Sequence, residues 1–166
     1  RGGLEQGLSW PLKIETTEDG ESNIREFEIR AQGDNALARA TNPARTKGEV
    51  FVFNDRTMWF FKPSLKKPVS ISSRQKLSGQ AANGDIASTH YARDYTPKIL
   101  GEEVLDGEKT YKLLLTAKDS NLTYDQIHYW ISAKTQLAIK AEFLNLQGKP
   151  IKMSVMEYNN TIDRKS

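Results

Sequence analysis

Cysteine is absent from all 166 residues of the chain. Disulfide bonds and thiolate metal sites are thereby excluded, and stability must come from apolar burial and backbone pairing. That suits a cytosolic protein, and equally an exported one held together by its core alone. Histidine is nearly absent too, with only His90 and His128 present. His90 and Asp94 stand four residues apart, yet one imidazole and one carboxylate make a poor metal ligand set. His128 follows Asp125 and precedes Trp130 on a strand pattern. A His–Asp pair can orient a general base, but neither a G-x-S-x-G elbow nor a thiol nucleophile accompanies it. Walker A, G-x-G-x-x-G and EF-hand loops are missing as well. The expectation is no cofactor, no metal and no enzymatic activity; a lipid hydrolase pairing His128 with a serine is the enzyme alternative.

No stretch approaches the ~18–20 apolar residues of a membrane-spanning helix, and no signal peptide heads the chain. The sequence opens on Arg1-Gly2-Gly3 without a methionine, which reads as a mature or trimmed form. Charge of one sign is not in great excess: 24 Lys and Arg against 21 Asp and Glu give a net +3. The basic residues are scattered apart from Lys66-Lys67. Aromatic and basic residues do interleave at Trp59-Phe60-Phe61-Lys62, a pattern that suits single strands. With so small a charge excess, these aromatics read instead as core or cavity lining, and no nucleic-acid partner is expected. The carboxylates at Glu26, Glu28 and Glu102-Glu103 fall on strand surfaces or turns and read as solvated. Asn121-Leu122-Thr123 matches a glycosylation sequon, which short chains often match by chance.

What the chain does have is period-two alternation. Ile127, Tyr129 and Ile131 alternate with His128 and Trp130; Ile139, Ala141 and Phe143 with Lys140 and Glu142; Ile151, Met153 and Val155 with Lys152 and Ser154. Turn residues separate the three runs, so Thr123–Tyr158 predicts a half-exposed antiparallel meander. Such a sheet also accounts for the low apolar fraction of 37%. Earlier, Trp10, Leu12 and Ile14 predict an edge strand, because Pro11 cannot donate to an interior ladder. Glu18-Asp19-Gly20-Glu21 is a hairpin turn, followed by a strand over Ile24–Ala31 and a weaker one over Ala36–Thr41. Val50–Phe53 and Met58–Phe61 form an aromatic hairpin, and Val69–Ile71 a short strand. From Arg74 to Tyr95 the residues become small, with Gly79, Ala81, Ala82, Gly84, Ala87 and Ala92. Asp85–Asp94 predicts two or three helical turns capped by Asn83 or Asp85, in a segment able to lie over something and move. Strands resume at Lys98–Glu103 and Thr110–Ala117. Roughly ten short strands without βαβ alternation point to a single domain built on a curved antiparallel sheet or a barrel.

Several of these stretches carry a family likeness. Phe53-Asn54-Asp55-Arg56-Thr57-Met58-Trp59-Phe60-Phe61-Lys62-Pro63 resembles the aromatic-Trp-aromatic-x-Pro segment of outer-membrane lipoprotein-sorting (LolA-like) proteins. Pro43-Ala44-Arg45-Thr46-Lys47-Gly48 resembles the approach to that hairpin, and Asp94–Glu103 the stretch after the family's central helical segment. Tyr129-Trp130-Ile131, Leu137–Phe143 and Gly148-Lys149 extend the likeness, which covers residues 10–160 as one domain. Two departures stand out: only Arg1–Ser9 remain where the sorting chaperones have a longer N-terminal helix, and their closing strands after Asn160 are missing.

The resemblance implies a mainly β (α+β) fold, a strongly curved antiparallel half-barrel sheet with a short helical lid over its concave face. It implies a periplasmic carrier, a monomer, that holds lipoprotein acyl chains or lipids in the groove and has an envelope protein as a possible partner. The alternative is a periplasmic sensor or interaction module, like the relatives that regulate an envelope-stress sigma factor. The ligand-binding residues expected on this basis are Phe27, Ile29, Phe51, Phe53, Trp59, Phe61, Leu113, Leu115, Tyr129, Trp130, Ile139, Phe143, Met153 and Val155, apolar and aromatic as pocket linings are.

Overall fold

Alternation over Leu8–Glu18 (β1) and Glu21–Gln32 (β2) builds a long hairpin, paired from Leu8 opposite Ala31 to Glu18 opposite Glu21. Its turn takes positive φ at both central residues, 52° at Asp19 and 80° at Gly20, which is why Asp-Gly stands there. The computed structural model describes residues 6–78, 81–86 and 90–158 of the chain. Their contacts divide it into two compact units. One is the chain up to Asp94 together with Lys118–Thr123, and the other is Tyr95–Ala117 with the chain from Tyr124 onward.

In the first unit, β3 (Asn35–Asn42), β4 (Val50–Asn54), β5 (Thr57–Phe61) and β6 (Val69–Ile71) follow β1 and β2, giving a six-stranded antiparallel sheet in sequence order. A small ribbon of β7 (Lys76–Ser78) and β8 (Ala81–Ala82) comes next. A 3-10 turn then covers Asn83–Asp85, and a single helical turn, α1, covers Tyr91–Asp94. Predicted as two or three turns over Asp85–Asp94, the helix is shorter among the described residues; residues 87–89 lie outside them, as does Gly79. The Asp85 carboxylate accepts from the backbone N–H of Ala82 at 2.9 Å. Short acidic side chains that bond their own backbone in this way favour turns over helix interiors.

The second unit is a five-stranded antiparallel sheet in the order β13-β12-β11-β10-β9. Its strands are β9 (Tyr95–Leu105), β10 (Glu108–Ala117), β11 (Gln126–Ser132), β12 (Ala138–Leu144) and β13 (Pro150–Val155). The last three are the predicted meander. Asp106 and Gly107, with φ of 51° and 81°, repeat the turn chemistry of the first hairpin.

The fold is mainly β and antiparallel, with sheets not closed into a barrel. Hydrogen bonding distributes the strands over two main antiparallel ladders. Between them lie residues 72–94, where the strands among the described residues, β7 and β8, pair with each other. Proline marks the borders of both sheets: Pro11 lies in edge strand β1, Pro97 in edge strand β9 and Pro150 at the start of edge strand β13, while Pro68 directly precedes edge strand β6. A residue without an N–H is tolerated where no neighbouring strand needs it.

Candidate ligand-binding face

Register places the residues of one face of the first sheet in cross-strand rows. One row runs Leu8, Ala31, Ala36, Phe53, Met58, Ile71, and the next runs Trp10, Ile29, Ala38, Phe51, Phe60, Val69. A third begins Leu12, Phe27, Ala40. Along β3, therefore, the buried residues of this face are all alanines: Ala36, Ala38 and Ala40. The flanking strands carry large side chains, Phe27 and Ile29 on β2, Phe51 and Phe53 on β4. Small residues between tall walls make a trough whose floor follows β3. Phe27 and Phe51 meet edge to face at 6.0 Å, and Phe51 lies 5.0 Å from Phe60.

Ile86, from the small-residue segment after β8, packs into this same cluster and is 4% exposed. Leu77 joins from β7, and Trp10, Leu12, Ile14, Phe60 and Ile71 pack around the rim. Among the described residues after β8, Ile86 is thus the aliphatic side chain that joins the sheet's apolar face. Near the Gly33 turn, an open cleft of about 700 Å³ crosses β1–β4, with Leu8, Ala31, Ala36, Leu37, Val52 and Phe53 among its lining.

Each end of the trough has a charged group. At the Glu49 end, Arg25 stands two residues before Phe27 on β2, its guanidinium carbon 5.3 Å from the Phe27 ring and 5.9 Å from Phe51. It donates to Glu49 at 2.6 Å. At the other end, Arg93 of α1 gathers three carboxylates. It grips Asp94 with two hydrogen bonds, of 2.7 and 3.1 Å, and reaches Asp55 at 2.7 Å and Asp34 at 2.9 Å. Asp34 and Asp55 belong to the tips of the β2–β3 and β4–β5 hairpins, so the end of the covering segment is clasped to both. Arg56 approaches Asp94 at 3.8 Å and Asp119 at 3.2 Å. The hydrogen bond to Asp94, above all, raises the Arg93 guanidinium further above its already high range.

The sequence-predicted site residues separate by face. Phe27, Ile29, Phe51 and Phe53 are brought together in the trough. Trp59 and Phe61 pair with Val52 and Val50 and occupy the opposite face, where Trp59 is 42% exposed. Strand parity is the reason, since Met58 and Phe60 take the inward positions of β5.

In the second sheet, Leu113, Tyr129 and Ala141 form one row, with Leu115, Ile127 and Phe143 beside it. Burial raises the Tyr129 phenol above its ordinary range, with the nearby Tyr158 adding to the effect. Lys152 spans the Tyr124 and Phe143 rings at 5.0 and 4.8 Å and donates to the Tyr124 hydroxyl. Trp130, Met153 and Val155 lie on the other face, and Ile139 is the extra residue at a bulge where Trp130 pairs with Lys140 and Ile131 with Ala138. Trp130 is buried nonetheless. Its ring lies between Lys112 and Lys140, at 4.8 and 4.7 Å, and its indole N–H donates to Glu103 at 2.7 Å. Those lysine stems cover an aromatic that alternation alone places outside.

Among the described residues no group of three His, Cys, Asp or Glu side chains gathers to hold a metal. His128 bonds Glu142 at 3.1 Å rather than a serine. The residues that sequence reasoning missed are Ile86, Arg25, Arg93 and the β3 alanines. Alanine at every second position of β3 was the one signal available for the trough.

A family model described as "Uncharacterized protein" matches residues 32–165. No curated protein matches the chain. Among solved structures, a LolA superfamily protein from Nitrosomonas europaea is 31% identical with a TM-score of 0.82, over 93% of this chain and 72% of that one. A putative outer membrane lipoprotein-sorting protein domain from Vibrio parahaemolyticus is 20% identical with a TM-score of 0.76, over 94% and 71%. A DUF1329 family protein from Desulfovibrio piger is 21% identical with a TM-score of 0.75, over 89% and 69%. The latter two share the fold.

Proposed function

The chain belongs to the LolA superfamily, and on that premise we propose that it is a periplasmic, non-enzymatic carrier that takes the acyl chains of lipoproteins or lipids on the inner face of its first sheet. The observation that carries this reading is the trough itself: an alanine floor along β3 between phenylalanine walls, with Ile86 packed into the same cluster. An alkyl chain entering there displaces Ile86 and replaces one aliphatic contact with a longer one. Its burial contributes about 25 cal/mol per Å² of apolar area. Phe27, Ile29, Phe51 and Phe53 line the site, and the apolar face with Leu113, Leu115, Tyr129 and Phe143 offers similar surface in the second sheet. Trp59, Phe61, Trp130, Met153 and Val155 are left out of it, because they point the other way.

The lipoprotein-sorting description of the Vibrio parahaemolyticus domain supports the choice of cargo. Among the described residues no helix is long and apolar enough to cross a membrane. The test is extraction of natively purified protein followed by mass spectrometry, together with titration of a dansyl-labelled fatty acid. Bound lipid and saturable uptake are expected. Protein that carries no lipid and takes up no probe is not an acyl carrier.

A further inference from the structure

Arg25 is placed oddly for a residue that serves only an ion pair. Its side chain retains 13% exposure and its charge is neutralised by Glu49 at 2.6 Å, itself 18% exposed. Its Nε is nevertheless buried without a hydrogen-bond partner among the described residues. Buried N–H donors are almost always satisfied, so an unmet one calls for an acceptor that the chain itself does not supply. The guanidinium stands against Phe27 and Phe51, the two rings that wall the trough beside Ala40. The unpartnered donor thus lies against two rings of the trough wall.

Resting on the acyl-carrier reading, we propose that Arg25 binds the ester carbonyl of an acylated ligand through its Nε, so that the site selects acyl esters over free fatty acids and plain hydrocarbon. Electrostatics decide between the candidate head groups. A carboxylate would bring a second anion beside Glu49, whose charge Arg25 already neutralises at 2.6 Å. A bare alkyl end leaves the donor unmet, at the desolvation cost of an unpaired polar group. A neutral carbonyl satisfies the N–H and adds no charge, so it fits where the others do not.

The experiment displaces a dansyl-labelled acyl probe with three ligands of similar chain length: methyl palmitate, octadecane and palmitate at pH 8. In the wild type the ester competes roughly tenfold better than the alkane, as expected for a hydrogen bond to a charged donor, and better than the ionised acid. Arg25→Lys keeps a cation for Glu49 and removes the Nε donor, so there the ester loses that advantage. Equal competition in the wild type overturns the proposal, as does an ester preference that survives in Arg25→Lys. Failure of the probe to bind at all sinks the acyl-carrier reading instead.

Discussion

Truncating Ile86 to alanine should make the protein less stable and a better binder at the same time. The side chain is 4% exposed, so Ile86→Ala removes three buried carbons, about 2.4 kcal/mol at ~0.8 kcal/mol per carbon. Any cavity left over the β3 alanines adds to that loss within the ~2–5 kcal/mol range for such truncations. For a domain of this size the ligand-free protein should melt about 5–10 °C lower. The same burial opposes the ligand, because an alkyl chain has to expel Ile86 before it can occupy the trough. Removing the side chain lifts that opposition, and affinity should rise by up to roughly 50-fold, the equivalent of 2.4 kcal/mol. Differential scanning calorimetry of lipid-free protein and fluorescence titration with a dansyl fatty acid measure the two halves. A lower melting temperature with unchanged or weaker binding refutes displacement and makes Ile86 an ordinary core residue.

Other substitutions separate the two faces and the two ends. Phe53→Ala, at a fully buried wall position, should cost about 3–5 kcal/mol in urea unfolding, whereas Trp59→Ala on the opposite face should cost within about 1 kcal/mol and leave probe binding unchanged. Arg93→Met strips Asp94, a carboxylate 2% exposed, of its bidentate partner while Arg56 remains at 3.8 Å; a loss of about 3 kcal/mol is expected, and adding Asp94→Asn should recover part of it. Glu103 is held below its ordinary value of 4.5, first by the Trp130 indole N–H and then by Lys112. Its contribution is complete above that unfolded value and fades as the pH falls through the lower folded one. Thermal melts of Glu103→Gln should therefore show a shallower acid limb than the wild type, and an identical limb would assign the acid sensitivity to other groups.

Local chemistry was legible from the sequence. The Asp-Gly turns at 19–20 and 106–107, the edge strand implied by Pro11, and the Thr123–Tyr158 meander all follow from neighbours in the chain. Face was harder to read. In the 58–61 strand every residue is large and apolar, so alternation has no contrast to work with, and Trp59 and Phe61 could be assigned inward only by size. Trp130 shows the converse: it is buried on an outward position by lysines from two neighbouring strands. Bulges at Ile139 and near Gly101 shift register in ways that no periodicity reveals. The Arg93 clasp draws on residues 34, 55, 93 and 94, and the Arg25–Glu49 pair spans a 24-residue separation. Such pairings depend on where hairpin tips arrive in space, which composition does not encode.

The prolines at the sheet borders bear on behaviour in a crowded compartment. An incoming strand from a second molecule would find a missing donor in β1 and in β9, another at the first residue of β13, and a three-residue β6 preceded by Pro68. Four of the six prolines in the chain occupy these places. Two open sheets with apolar faces are the kind of surface on which intermolecular β-structure grows. Interrupting the template at each border lets the chain keep open-edged sheets at high concentration without seeding fibres of itself.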